Sequence, residues 1–492
     1  MSQVEYEVLE AKDVARWDEA READLVVVGL GCAGASAAIE ARELGADVLV
    51  LERASAGGGV TALAGGYVYL GGGTRVQNAV GVKDSVEDMF TYLMLNTPDP
   101  DEAKIRLYCE QSVALFDWLV DHGVPFKDSI CEGKPVLQLT DECLCWTGNE
   151  DVYPFREKAK PAQRGHKVAV LGELGGARLM SALIASVEEL GVRTIYDAHV
   201  HKLVRDGDRI AGVSYRSFGQ EKGAVRARKG VILASGQFTQ NDEMLKQYLP
   251  EILDEAYTRQ FTPNDDGVGH QLGEAAGGVL KHMDGRLVSA AFYPPESHLM
   301  GILVNKRGER YVAEDSYHSR SSIMTTRQPD AAGWLILDEA TYRPEVPNYG
   351  AYPLVDAFES VEEMERALGM PQGSLQKTIS SYNDHAAKGE DPEFHKHPKW
   401  LTPLDHPPYA ALDASLGKAT YTAFTLGGLD VTVDGEVVAS SGGTVPGLYA
   451  VGGCGSHIAQ DGTGYASGIC IGEAIFFGRR AARHATKTSG SG

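Results

Sequence analysis

Residues Ala23 to Arg53 read ADLVVVGLGCAGASAAIEARELGADVLVLER. Leu25 to Val28 are apolar at every position and mostly β-branched, the pattern of a short strand buried on both faces of a parallel sheet. The turn GLGCAG follows, with Gly29, Gly31 and Gly34 at GxGxxG spacing. The first glycine allows a tight turn, the second lets a pyrophosphate approach the backbone, and the third lets a helix pack against the strand. ASAAIEARELG predicts that helix, ended by Gly45. ADVLVLE is the next strand, and Glu52 at its end is placed for a ribose hydroxyl. An acid there favours an unphosphorylated ribose, hence FAD or NAD rather than NADP.

The rest of the chain sets limits. Its 492 residues are enough for two or three domains, and 57 glycines suit an α/β protein with many tight turns. A net charge of −22 argues against nucleic acid as a partner and disfavours an anionic membrane surface. No apolar run reaches the length of a membrane span, and the acidic start MSQVEYEVLE is no secretory signal. A cytoplasmic protein is expected. The seven cysteines are scattered and lack metal-ligand spacing, so free thiols and no metal site are expected. His395 and His397 in FHKHPKW read as surface loop, since no third ligand accompanies them.

Three further stretches choose between FAD and NAD: SAGGGVTALAGG (55–66), VILASGQFTQN (231–241) and GTVPGLYAVGGCG (443–455). In this order they resemble the FAD-dependent succinate dehydrogenase/fumarate reductase flavoproteins, over about residues 22–485. The resemblance implies an α/β fold: a discontinuous Rossmann-like FAD-binding domain with an inserted α+β cap. It implies FAD against Gly29, Gly31, Ala33, Gly34, Glu52 and Arg53, and against Gly58, Gly59, Thr61, Gly65 and Gly66. Val200, Ala234, Ser235, Gly236, Asn241, Asp266, Gly452, Gly453, Gly468 and Ile469 complete that set. Two positions depart from the pattern. Gln237 replaces a usual glycine, and Gly453 replaces an acid that often binds the ribityl chain. Val60 precedes Thr61 where the dehydrogenases carry a covalently attached histidine, so non-covalent FAD is expected.

From about Asp284 the texture changes to alternating strands, helices and proline turns. The expected division is residues 1–283 for the N-terminal extension and first part of the FAD-binding domain, and 284–414 for the cap. Residues 415–486 form its second part, and 487–492 a tail. The segment TKTSGSG at the end reads as disordered.

Fumarate-type members bind two carboxylates with a histidine and arginines. Here TAFTLGGLD (422–430) has no histidine, DGTGYASG (461–468) has no arginine, and RYVAEDSYHSR (310–320) has Tyr317 and His318 near the donor position with Arg320 displaced. A carboxylate without such partners in a dry site is costly, so a neutral substrate is expected. The remaining groups are aromatic: Phe292, Tyr293, Tyr317, Tyr421, Phe424 and Tyr465. They suit a flat apolar body with one polar handle. The YASG loop and the EDxYH segment resemble the 3-ketosteroid dehydrogenase branch, most closely the 3-oxosteroid 4-dehydrogenases. That resemblance implies Tyr317, Tyr465 and Ser467 as catalytic groups, and Phe292, Tyr293, Phe424 and Gly468 against a steroid. The implied reaction introduces, or in reverse reduces, the C4–C5 double bond of a 3-ketosteroid. Hydride passes between C5 and flavin N5, and a proton moves at C4.

Which hydroxyl is the base stays open, and Ser467 at a helix start also suits a plain N-cap. The direction of reaction and the electron acceptor or donor stay open too. Alternatives are a reductase of an unsaturated acid such as fumarate or urocanate, with Arg320 moved inward as the acid, and a Δ1-3-ketosteroid dehydrogenase. A third is a subunit relaying electrons to a partner protein.

Overall fold

The computed structural model describes residues 6–18, 21–134, 138–259, 262–290, 296–343 and 352–487. Its centre is a parallel layer in which Ala23–Val28 lies between Val48–Leu51 and the end of Gln220–Leu233. Arg193–Ile195 and Thr444–Ala450 extend this layer at its two sides. The residues of the opening strands alternate between two cores. Leu25, Val27, Val48 and Val50 pack into one with the helices Cys32–Glu43, Gly175–Glu189 and Ile469–Lys487. Val26, Val28, Leu49 and Leu51 pack into the other, with the strands His199–Asp206 and Arg209–Ser217 and the helix Val268–Ala275. Neither face meets water, which is why the run is apolar throughout. Each such Val or Leu contributes roughly 1.5–3 kcal/mol by burial.

A four-stranded antiparallel sheet builds the cap, in the order Ile302–Asn305, Gly333–Asp338, Tyr409–Asp413, Leu354–Phe358. Helices Val361–Ala367 and Ser374–Ala386 bury Met364, Leu375 and Ile379 against it. Between cap and parallel layer stands a three-stranded sheet: Tyr257–Arg259, Tyr421–Thr425 and Arg286–Ala290. The helix His318–Thr326 rests on Arg286–Ala290 and carries Tyr317 at its start. This brings Tyr317 to the junction of cap and nucleotide-binding layer.

Thr486 and Lys487, read from the sequence as part of a disordered end, close the last helix. The Thr486 carbonyl accepts from Lys229 Nζ at 2.7 Å, which ties that turn down. The rest of the expected tail, 488–492, lies outside the described residues. All seven cysteines are free thiols. Among the described residues no helix is long and apolar enough to cross a membrane.

Candidate active site

A cavity of about 510 Å³ runs from the Gly29–Ala33 turn to the start of the last helix. Gly29 makes the turn at φ +105°, and a Cβ there would collide with the Ala234 carbonyl. Gly31 is different. A Cβ on it would meet nothing within 4 Å, and the position precedes the helix Cys32–Glu43. Open space in front of a 12-residue helix, beside N–H groups and the positive end of its dipole, is a cradle for a pyrophosphate. Glu52 lines the cavity, and its carboxylate accepts from the Leu30 and Ala54 N–H groups, both at 2.7 Å. These bonds leave it acceptor capacity for a ribose hydroxyl. Arg53 lines the cavity beside it and pairs with Asp266. The donor set, the cradle and the cavity's length fit FAD.

Most residues expected at FAD line this cavity: Gly29, Gly31, Ala33, Glu52, Arg53, Gly59, Thr61, Gly65, Gly66, Val200, Ala234, Ser235, Gly236, Gly452, Gly453 and Gly468. Gly34, Gly58, Asn241, Asp266 and Ile469 are not among its lining residues. Asn241 instead caps the helix Asp242–Tyr248 and donates to the Asp266 carbonyl at 2.8 Å. Asp266 holds Arg53 in place. Gly34 serves the packing of the first helix on Gly29. Leu30, His199, Asn264 and Asp265 also line the cavity and were not singled out from sequence; each stands within a few residues of a motif or expected contact, which is the signal that marks them.

The two departures from the family pattern explain each other. A Cβ on Gly453 would lie 2.7 Å from Gln237 Cγ, so the Gln237 stem occupies the space of the missing acid's side chain. Gln237 lines the cavity at that point. Gly453→Glu is therefore expected to lose flavin, and adding Gln237→Gly to recover part of it, read as flavin absorbance per polypeptide after gel filtration. Full flavin content in Gly453→Glu alone would contradict this coupling.

The chemistry end lies where the last loop meets the cap. Gly468 sits at φ +95° against the backbone of Tyr67 to Tyr69, where a side chain has no room. The Ser467 and Ile469 N–H groups are taken by the Thr147 and Ala466 carbonyls. The Gly468 N–H has no partner among the described residues, and Gly468 lines the cavity. Ser467 does not cap the helix: its hydroxyl hydrogen-bonds the Tyr317 hydroxyl. Tyr317 is positioned from several sides. Its N–H donates to Asn149 Oδ1 at 2.9 Å, and Ser319 Oγ ties the same helix to the Gly462 carbonyl at 2.6 Å. Just upstream, buried Arg310 pairs with Glu314 and Asp391, each at 2.9 Å.

Tyr465 lines the cavity and packs edge-on against Phe424, ring centroids 6.0 Å apart. Burial holds the Tyr465 hydroxyl well above the usual tyrosine range, and it raises that of Tyr317 as well. Both stay protonated at neutral pH. His318 lines the cavity with Nδ1 bonded to Ser289 Oγ at 2.6 Å, and burial pushes it down to about 4, so its ring is neutral. Leu287, Ser289 and Thr422 complete this end; nothing local in the sequence marks them, because sheet register alone brings them here. Tyr421 lies in the core, its hydroxyl donating to the Ala414 carbonyl at 2.6 Å. Phe292 and Tyr293 fall outside the described residues.

Arg320 is not among the lining residues. Its guanidinium sits 5.6 Å from the Phe155 ring, and burial lowers its pKa. Among the described lining residues the only arginine or lysine is Arg53, at the opposite end. The Tyr465 end thus offers hydroxyls, one N–H and apolar walls, a setting for a neutral ketone rather than a carboxylate.

The FAD binding domain family matches residues 24–467 of the chain. The 3-oxo-5-alpha-steroid 4-dehydrogenase of Comamonas testosteroni is 28% identical, across 89% of this chain and 94% of that protein. An NADH:fumarate oxidoreductase of Klebsiella pneumoniae is 25% identical, across 94% of this chain but 48% of that protein. Among solved structures, the 3-ketosteroid-Δ4-(5α)-dehydrogenase of Rhodococcus jostii, in complex with 4-androstene-3,17-dione, is 43% identical with a TM-score of 0.90. The match covers 98% of this chain and all of that one.

Proposed function

Because the chain belongs to the FAD-binding-domain flavoprotein family, together with the 3-ketosteroid-Δ4-(5α)-dehydrogenase it resembles at 43% identity, we propose that it exchanges the C4–C5 single and double bonds of a 3-ketosteroid. The observation that carries this reading is the end of the cavity without a fixed positive charge, where Tyr465 and Ser467 line the wall and Ser467 is hydrogen-bonded to Tyr317, which is not itself a lining residue. FAD bound along the cavity supplies the acceptor for the C5 hydride. Tyr465 and the Gly468 N–H receive the ketone oxygen and stabilise the enolate that forms as C4 loses a proton. Ser467 takes that proton and passes its own to Tyr317. Neither hydroxyl has to remain ionised, which suits a tyrosine whose pKa is raised by burial. Phe424 and Leu287 hold the apolar body of the steroid, as Phe292 and Tyr293 do in this reading. In this reading the cap comprises residues 284–414, and its first strand, Arg286–Ala290, joins the intervening three-stranded sheet by pairing with Tyr421–Thr425.

FAD is held non-covalently in this account, since Val60 lines the cavity beside Thr61 where a linking histidine would stand. Acid precipitation should leave the flavin in solution. Electrons pass to or from a separate acceptor or donor. The free thiols suit a reducing compartment such as the cytoplasm.

Incubation with a 5α-saturated 3-ketosteroid and an artificial electron acceptor tests the reading. The product expected is the 4-ene-3-one. A 1-ene product would assign the chain to the Δ1 reaction instead, and no product in either direction would overturn the steroid reading.

A further inference from the structure

Cys131 and Cys145 belong to neighbouring segments in parallel register. Ile130 bridges Leu144, the Cys131 N–H donates to the Leu144 carbonyl at 2.8 Å, and the Leu144 N–H donates to the Ser129 carbonyl at 3.0 Å. One residue on from the bridge, the two cysteines stand opposite each other with their side chains on one face. Paired strands lie about 4.7–4.9 Å apart, and a disulfide joins residues whose Cα atoms are about 4.4–6.8 Å apart. Both side chains share a small buried cluster with Tyr67. In the reduced protein the Cys131 thiol donates to the Glu132 carbonyl at 3.5 Å, and that of Cys145 to the Cys143 carbonyl at 3.3 Å.

The two thiols differ in their surroundings. Cys131 lines a cavity of about 370 Å³ that also takes in the exposed Glu132 and Lys399, and Cys145 does not line it. A hydrogen bond from the Cys145 thiol lowers the pKa of Cys131. The same bond, and then burial, hold Cys145 well above the usual cysteine range. Burial raises the thiols of Cys32, Cys109, Cys143, Cys454 and Cys470 too. Cys131 thus combines thiolate character, a cavity in front of it and a second thiol behind it. Oxidants select cysteines of this kind, and the neighbouring thiol captures the first product.

We propose that Cys131 and Cys145 are a hydroperoxide-reactive pair, Cys131 attacking and Cys145 resolving, that closes to a disulfide. The Cys131 thiolate attacks one peroxide oxygen. An S–O bond forms, the O–O bond breaks, and the other oxygen leaves with the proton that Cys131 gave up. Cys145 then attacks the sulfenic acid on Cys131. The S–S bond forms, the S–O bond breaks, and water leaves with the Cys145 proton. The sulfurs lose two electrons between them and the peroxide gains both. With hydrogen peroxide, two thiols and one peroxide give one disulfide and two waters. Cys145 stands two residues before Thr147, whose carbonyl holds the Ser467 N–H, so the disulfide closes inside the segment that seats the last loop. The site does not depend on which substrate the flavin cavity takes.

The test treats the FAD-loaded full chain with hydrogen peroxide, then alkylates it under denaturing conditions and maps the peptides. Two of the seven thiols should be lost, with Cys131 and Cys145 linked and Cys143 still alkylated, and dithiothreitol should restore both. Cys145→Ser should stop at a sulfenic acid on Cys131, trapped by dimedone. Cys131→Ser should leave Cys145 reduced. A wild type without the Cys131–Cys145 link, or with Cys143 linked in its place, would overturn the pair. Oxidation of Cys145 at the wild-type rate in Cys131→Ser would overturn the order of attack. If a serine variant does not load FAD, early dimedone trapping in the wild type replaces it: label on Cys131 supports the order, and label on Cys145 overturns it.

Discussion

Ser467→Ala is expected to lower kcat by about 10²–10⁴ while FAD stays bound, because it removes the first group to receive the C4 proton. The loop should keep its shape. The Ser467 N–H bond to the Thr147 carbonyl is backbone, and the constraint at Gly468 is backbone as well. The local cost is the Tyr317 hydroxyl left without its partner, roughly 1–3 kcal/mol, which a melting curve would register separately from activity. Tyr317→Phe interrupts the same path one step later. The double variant should then be no slower than the slower single one, since a broken path is not broken twice. Additive losses would mean that the two hydroxyls act independently, and unchanged turnover in Ser467→Ala would remove it from the mechanism.

Tyr465→Phe should cost about 10²–10³ in kcat, the scale for losing one donor to a developing oxyanion. The ring would still pack on Phe424, so substrate binding should change less than turnover. The physical basis is protonation state. Burial keeps the Tyr465 hydroxyl neutral far above pH 7, so it donates to a ketone but cannot pair with a cation or serve as a ready base. A larger rise in KM than fall in kcat would make Tyr465 a binding group rather than an oxyanion donor.

Local chemistry was legible in the sequence, and long-range packing was not. The parallel strand at Leu25–Val28, the turn at Gly29 and the acid at Glu52 each follow from a few neighbouring residues, and the structure has them in that order. Family resemblance singled out Tyr317 and Ser467, but no spacing shows that hydroxyls 150 positions apart share a hydrogen bond. Ser467 looked equally suited to capping the last helix; only the fold shows its hydroxyl turned to the cap instead. Gln237 and Gly453 were two unrelated departures until their side-chain volumes met in one place. Asn241 has a local helix cap to make, and its side chain makes it.

An anaerobic titration of the oxidised holoenzyme, followed by flavin absorbance, tests the central claim most directly. A 5α-saturated 3-ketosteroid should bleach the flavin in proportion to the enzyme present, and a 4-ene-3-one should reoxidise the reduced enzyme. Reoxidation by fumarate or urocanate, with no response to either steroid, would contradict the account.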